Sequence, residues 1–320
     1  MEREHLKPLF HAGHGVACGK FILIGEHSVV YGEPAIAMPL HSVRMSARVA
    51  YGAPEHWFES ELYQGPLARL PASLAGIKAA IEACLEELGE RPDGLNFIIE
   101  SEVPTERGMG SSAAVAGAVV RALFDLYRRP LNRDTLFALV QVSERIAHGN
   151  PSGLDAVATS AAAPIHFQRG EFRDLPIALT GVFVIADTGI KGGTRQTVAD
   201  LGARFARKRS EVEPRILRLG KLTEEARACL ADDRPARLGE LMNEAHAQLA
   251  ALDISSPELD RLVEAALAHG ALGAKLTGGG RGGCMVALCT DAEAASAVAQ
   301  ALLASGARQT WIHRFEEDPA

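Results

Sequence analysis

The stretch PTERGMGSSAAVAGAVVRALFDLY, Pro104 to Tyr127, decides how this chain is read. Gly108 and Gly110 free the backbone for close approach by a ligand. From Ala113 to Tyr127 the residues are Ala, Val and Leu with few interruptions, which predicts a buried helix whose apolar surface covers most of its circumference. The start of such a helix offers unbonded N–H groups and a positive dipole end, so the loop is a cradle for a phosphate. It is not a Walker A loop, because no Lys-Ser or Lys-Thr follows the glycines. It imitates the dinucleotide pattern G-x-G-x-x-A as GMGSSA, but Pro104 to Arg107 intervene where a dinucleotide turn would enter directly from a strand. The same residues also fit a plain helix start capped by Ser111 and packed through its alanines.

Two other constellations bear on that choice. In VSERIAHGNPSGLDAVATS, Glu144 lies on an expected helix and Asp155 just beyond a Pro- and Gly-shaped loop. A carboxylate on a rigid helix suits magnesium, and an acid at a turn suits a substrate hydroxyl. A solvated surface acid and a helix N-terminal charge are the alternatives. In AKLTGGGRGGCMVAL, five glycines surround Arg281 between two expected strands. A hairpin needs one or two, so something approaches this backbone closely. GKFILIGEHSVVYG adds Lys20, Glu26 and His27 beside one turn, and the set together has the makings of a phosphoryl-transfer site.

Composition limits the alternatives. The chain has 320 residues, 47% hydrophobic and 23% charged, enough for two domains with real cores and no long disordered tail. Its net charge of −7, with four Tyr and two Trp, disfavours a nucleic-acid partner. The longest apolar run, Ala113 to Val120, is far below the roughly 20 residues of a membrane span, and Met1 to Phe10 has no apolar core, so a cytoplasmic protein with no membrane partner is expected. The five cysteines form no CxxC pair and are expected to be reduced.

Along the chain, KFILIG and PAIAMPL predict strands, Ser42 to Ala68 a meandering segment, Leu74 to Leu88 an amphipathic helix stopped by Gly89, and GLNFIIESEVP a strand. Helices are expected over Thr135 to His148 and Leu154 to Ala163. After a boundary near 178 come the strand GVFVIAD, a charged helix from Thr194 to Arg209, three further helices, the strands ALGAKLTG and GGCMVALC, a helix from Asp291 to Ser305 and the strand QTWIHRF. That order predicts an antiparallel sheet covered by helices on one face.

These residues resemble the galactokinase, homoserine kinase, mevalonate kinase and phosphomevalonate kinase superfamily over nearly the whole chain. PTERGMGSSAA is similar to the superfamily's phosphate loop, with Met109 in place of the usual leucine, and KLTGGGRGGC, with Gly278, Gly279 and Gly280, to its third motif. The start Gly19-Lys20 and the continuation EHSVVYG set the chain apart from galactokinases, which begin Gly-Arg and continue His-Thr-Asp-Tyr, and resemble mevalonate kinases, as do ERIAHGNPSGLDA and DTGIKGGTRQTV. The resemblance implies an α+β fold of two domains, residues 1–178 like ribosomal protein S5 and 179–320 ferredoxin-like, with the active site between them. It implies ATP- and Mg2+-dependent phosphorylation of the 5-hydroxyl of mevalonate by a monomer or homodimer. Asp155 matches the catalytic aspartate and Lys20 its supporting lysine. Glu106, Arg107, Gly108, Met109, Gly110, Ser111 and Ser112 match the ATP phosphate loop. Ser112 and Glu144 match the magnesium ligands, and Glu26, His27 and Thr194 join Lys20 and Asp155 at the substrate. One departure stands out: animal mevalonate kinases carry an arginine where this chain has Gly192, which leaves Lys191 or another cation for the substrate carboxylate. Another small-molecule kinase of the superfamily, or a non-catalytic relative, is the alternative.

Overall fold

The computed structural model describes residues 11–148 and 151–314. Met1 to Phe10, Gly149 and Asn150 of the loop before Asp155, and Phe315 of the last expected strand lie outside the described residues. In chain order the elements are β1 (Gly13–Ile24), β2 (Ala35–Tyr51), β3 (Trp57–Ser60), β4 (Tyr63–Pro66), α1 (Ala75–Leu88), β5 (Leu95–Ser101), α2 (Ser111–Leu126), α3 (Arg133–His148) and α4 (Leu154–Ala158). Then follow β6 (Ile165–Gln168), β7 (Glu171–Asp174), β8 (Val182–Asp187), α5 (Thr194–Arg207), α6 (Arg209–Ala231), α7 (Pro235–Ala251), α8 (Pro257–Ala268), β9 (Gly273–Thr277), β10 (Cys284–Cys289), α9 (Ala292–Ala304) and β11 (Gln309–Arg314). Among the described residues no helix is long and apolar enough to cross a membrane.

Two compact units emerge, and they interleave along the chain. One gathers Met1–Ala17, Arg44–Glu102 and Ser112–Pro151, the other Cys18–Val43, Val103–Ser111 and Ser152–Ala320, each taken over its described residues. In the first, strands run in the order β4-β3-β5-β2, with β3 parallel to β5 and the other pairs antiparallel. Helix α1 buries Ile77, Ala80, Ile81, Cys84 and Leu88, the three-and-four spacing its sequence predicts, and ends at Gly89 in the left-handed conformation. Helix α2 is buried over most of its circumference, as its composition requires.

The second unit carries the antiparallel sheet β11-β8-β10-β9. All six residues of β8 and all six of β10 are buried. Helices α7 and α8 pack on β9, and α9 on β8 and β11. Among the described residues no further strand pairs with the outer edge of β9: the Ala274 N–H donates to Asn243 Oδ1 at 2.9 Å and the Leu276 N–H to His246 Nδ1 at 3.2 Å, both from one turn of α7.

Three local expectations are corrected. The segment Ser42–Ala68 does not meander: β2 runs on to Tyr51, burying Val43, Met45, Ala47 and Val49 while Arg44 and Arg48 stay exposed, the alternation of a half-buried strand, and β3 and β4 follow. The helix expected over Leu154–Ala163 stops at Ala158, and Ile165–Asp174 forms a hairpin turned by Arg169 and Gly170 at φ 52° and 85°. Two left-handed residues are what a tight two-residue hairpin asks for. The charged helix from Thr194 ends at Arg207, with Lys208 separating α5 from α6.

Candidate active site

Most of the sequence-predicted site residues fall in the second unit, where β1, the turn after it and two glycine-rich loops meet. Lys20 is the joint. Its backbone N–H donates to the Met109 carbonyl at 3.0 Å, and its Nζ lies 2.9 Å from Asp155 Oδ1. One residue thereby holds the phosphate loop by its main chain and the acid by its side chain. Asp155 sits in the first turn of α4, behind Gly153 at φ 92°.

The loop geometry follows from its glycines. Gly110 has φ 75°, and a Cβ there would lie 2.7 Å from Thr159 Cγ2 and 3.2 Å from Lys20 Cγ, so only glycine fits both the angle and the space. Gly108 lies against Gly278 of the third motif, where an added Cβ would come within 3.3 Å of the Gly278 Cα. At Gly279 an added Cβ would lie 2.1 Å from Thr194 Oγ1, which places the threonine hydroxyl directly on the motif's backbone. The third motif thus meets both the phosphate loop and the start of α5.

Glu26 and His27 complete this cluster. His27 is buried at φ 60°, and its Nε2 donates to the Gly279 carbonyl at 3.1 Å. A carbonyl only accepts, so Nε2 carries the proton and Nδ1 is the acceptor of the neutral ring. Burial lowers the His27 pKa to about 4. This backbone bond gives the ring a structural role, and its Nδ1 remains without a partner among the described residues. Glu26 is buried and pairs with Lys275. Thr277 ties the same strand to β1, accepting from the Ile22 N–H at 2.8 Å and donating to the Ile22 carbonyl at 3.0 Å.

Two loop residues turn their side chains to other tasks. Arg107 is bonded through Nε to Asp187 at 3.2 Å and through Nη2 to the Gly189 carbonyl at 2.9 Å, anchoring the loop to the end of β8. Glu106, at φ 58°, pairs with Lys191, and its carbonyl accepts from the Gly192 N–H at 2.9 Å. Sequence reasoning missed Asp187, Lys275 and Thr277. The only signal was a charged or polar residue inside an otherwise apolar strand.

The first unit holds the remaining two. Ser112 is the second residue of α2, and Glu144 lies on α3 at 3% exposure, which removes the reading of Glu144 as a solvated surface acid. Both offer hard oxygen donors. Oxygen donors are the kind that magnesium takes.

The model of the GHMP kinases N terminal domain matches residues 75–163, and that of the GHMP kinases C terminal region residues 226–308. A mevalonate kinase of Thermococcus gammatolerans is 35% identical over 316 residues, 91% of this chain and 92% of its own. The chain belongs to the mevalonate kinases of the GHMP kinase family. Another mevalonate kinase, from Aeropyrum pernix, is 34% identical over 88% of this chain and 90% of its own. Among solved structures, L. major mevalonate kinase in complex with R-mevalonate superposes with a TM-score of 0.82 at 28% identity, covering 94% of each chain. The mevalonate kinase of methicillin-resistant Staphylococcus aureus gives 0.74 at 31% identity, over 95% of this chain and 99% of its own. The two-domain fold of the mevalonate kinases is therefore the fold of this chain.

Proposed function

We propose that this chain transfers the γ-phosphoryl group of ATP to the 5-hydroxyl of mevalonate. The observation that carries the reading is the double engagement of Lys20, whose backbone holds the phosphate loop at Met109 while its Nζ holds Asp155. The mevalonate named for the L. major structure supports the choice of substrate. Phosphoryl transfer asks a protein for positioning and charge neutralisation more than for covalent chemistry, and this arrangement supplies both. Asp155 orients the 5-hydroxyl and accepts its proton. Lys20 and the N–H groups of Gly108 to Ser112 draw off charge as the phosphoryl group moves. Ser112 and Glu144 would hold magnesium, which when bound neutralises phosphate charge. Glu26, His27 and Thr194 would line the substrate pocket, and Lys191, next to Gly192, is the cation we assign to the substrate carboxylate in exchange for Glu106.

The test is a coupled assay with ATP and, in parallel, mevalonate, phosphomevalonate, galactose and homoserine. Turnover confined to mevalonate is the expected result. Turnover of another acceptor in its place, or of none, overturns the reading.

A further inference from the structure

Lys275 has no part in the chemistry above, yet it is wholly buried in the middle of β9, between Ala274 and Leu276. Strand alternation puts Lys275 and Thr277 on one face, and both reach toward β1 and its turn: Thr277 bonds the backbone of Ile22, and Lys275 Nζ bonds Glu26 Oε1. The same Nζ donates to the Leu276 carbonyl at 2.5 Å, which fixes where the ammonium sits. The other oxygen of the carboxylate, Glu26 Oε2, is buried with no hydrogen-bond partner among the described residues. Buried polar atoms are nearly always bonded, and an ionised carboxylate only accepts, so Oε2 is short of a donor. Packing does not account for the lysine either, since an apolar side chain of similar volume would fill the space without burying a charge.

We propose that Lys275 is a positioning residue for the substrate, holding the Glu26 carboxylate ionised and oriented so that Oε2 accepts a hydroxyl of the substrate; this rests on the function proposed above. The electrostatics around the pair agree with that role. Burial pushes Glu26 up and Lys275 down, and each is held back by the charge of the other, with Lys20 also lowering Glu26. The charge of Lys275 also lowers His27 in the turn and His246 on α7, and Arg281 in the glycine-rich loop lowers His27 in the same direction. Without Lys275, burial dominates at Glu26. The carboxyl then takes up a proton at higher pH and becomes a donor where an acceptor is needed.

The experiment compares wild type, Lys275→Met, Glu26→Gln and Glu26→Gln/Lys275→Met in steady-state kinetics with ATP and mevalonate across pH, alongside melting temperatures. Wild-type turnover of mevalonate checks the underlying function by itself, and its absence overturns both readings. Lys275→Met is expected to raise KM for mevalonate about tenfold or more, leave KM for ATP within about threefold, and move the acid limb of kcat/KM up by about one pH unit. The double variant removes both charges and should be no worse than the worse of the two single variants, with that limb gone, because two residues acting as one unit are not additive. An unchanged KM and acid limb in Lys275→Met, whatever its melting temperature, overturns the proposal, as do losses that multiply in the double variant. Should Lys275→Met fail to fold, the double variant decides by comparison with Glu26→Gln: an equal KM for mevalonate supports the proposal, and a KM raised further overturns it.

Discussion

Lys20 Nζ lies 2.9 Å from Asp155 Oδ1, with the lysine side chain 2% exposed and the aspartate 37% exposed. The carboxylate is gripped from the protein side and open on the other, the posture of a group that receives a substrate hydroxyl. Asp155→Asn should keep a contact to Lys20 and fold normally, but lose about 10²-fold or more in kcat with KM for ATP unchanged. Near wild-type turnover in a variant of normal melting temperature would remove Asp155 from the chemistry.

Glu144 is buried on α3, where an amide of the same shape replaces it with little loss of packing. A neutral amide is a poorer ligand for a hard cation. Glu144→Gln is therefore expected to need more magnesium for half-maximal rate. A magnesium titration that superimposes on wild type would count against Glu144 as ligand.

Gly279 leaves no room beyond its own hydrogen atoms, since a Cβ there would lie 2.1 Å from Thr194 Oγ1 and 2.8 Å from Thr194 Cβ. Gly279→Ala should displace Thr194 and the start of α5, at a cost of about 1–3 kcal/mol, the range for overpacking. Calorimetry and KM for mevalonate should both register it. A variant as stable as wild type would show that the two loops separate easily.

His27 gives the pH dependence a sign. Its pKa in the folded chain is about 4 against an ordinary 6.5, so the native ring is neutral through a range in which the unfolded chain binds a proton. Stability contributed by the neutral ring is complete above pH 6.5 and is lost as pH falls toward 4, by about 3 kcal/mol. His313, also buried and lowered to about 4, acts in the same direction, so the measurement is the difference between wild type and His27→Asn. Denaturant unfolding at several pH values should show a shallower slope in the variant; equal slopes would mean that His27 titrates normally in the fold.

Much of this architecture is legible in the sequence where one signal dominates. Helix α1 announces itself by spacing and a terminal glycine, and β8 and β10 by unbroken apolar runs. The second half of β2 escaped, because arginine and serine between Val43, Met45, Ala47 and Val49 lower the local hydrophobicity and mask their alternation. The hairpin of β6 and β7 is too short to show a period. At the site, motifs reveal residues that touch ligands, because glycines and acids cluster there. Lys275, Thr277 and Asp187 act on those residues from other strands, and a polar residue in an apolar strand does not say which distant residue it pairs with.

The side-chain capping of β9 makes that strand an unusual reporter. The amides of Ala274 and Leu276, on either side of Lys275, are bonded to Asn243 and His246 rather than to a neighbouring strand. Their hydrogen exchange therefore reports the undocking of a single helix, α7, whereas amides bonded to β10 report the opening of the sheet. If the helix lifts before the sheet opens, the two sets of amides exchange at different rates, and the faster set marks how often the strand carrying Lys275 loses its outer support.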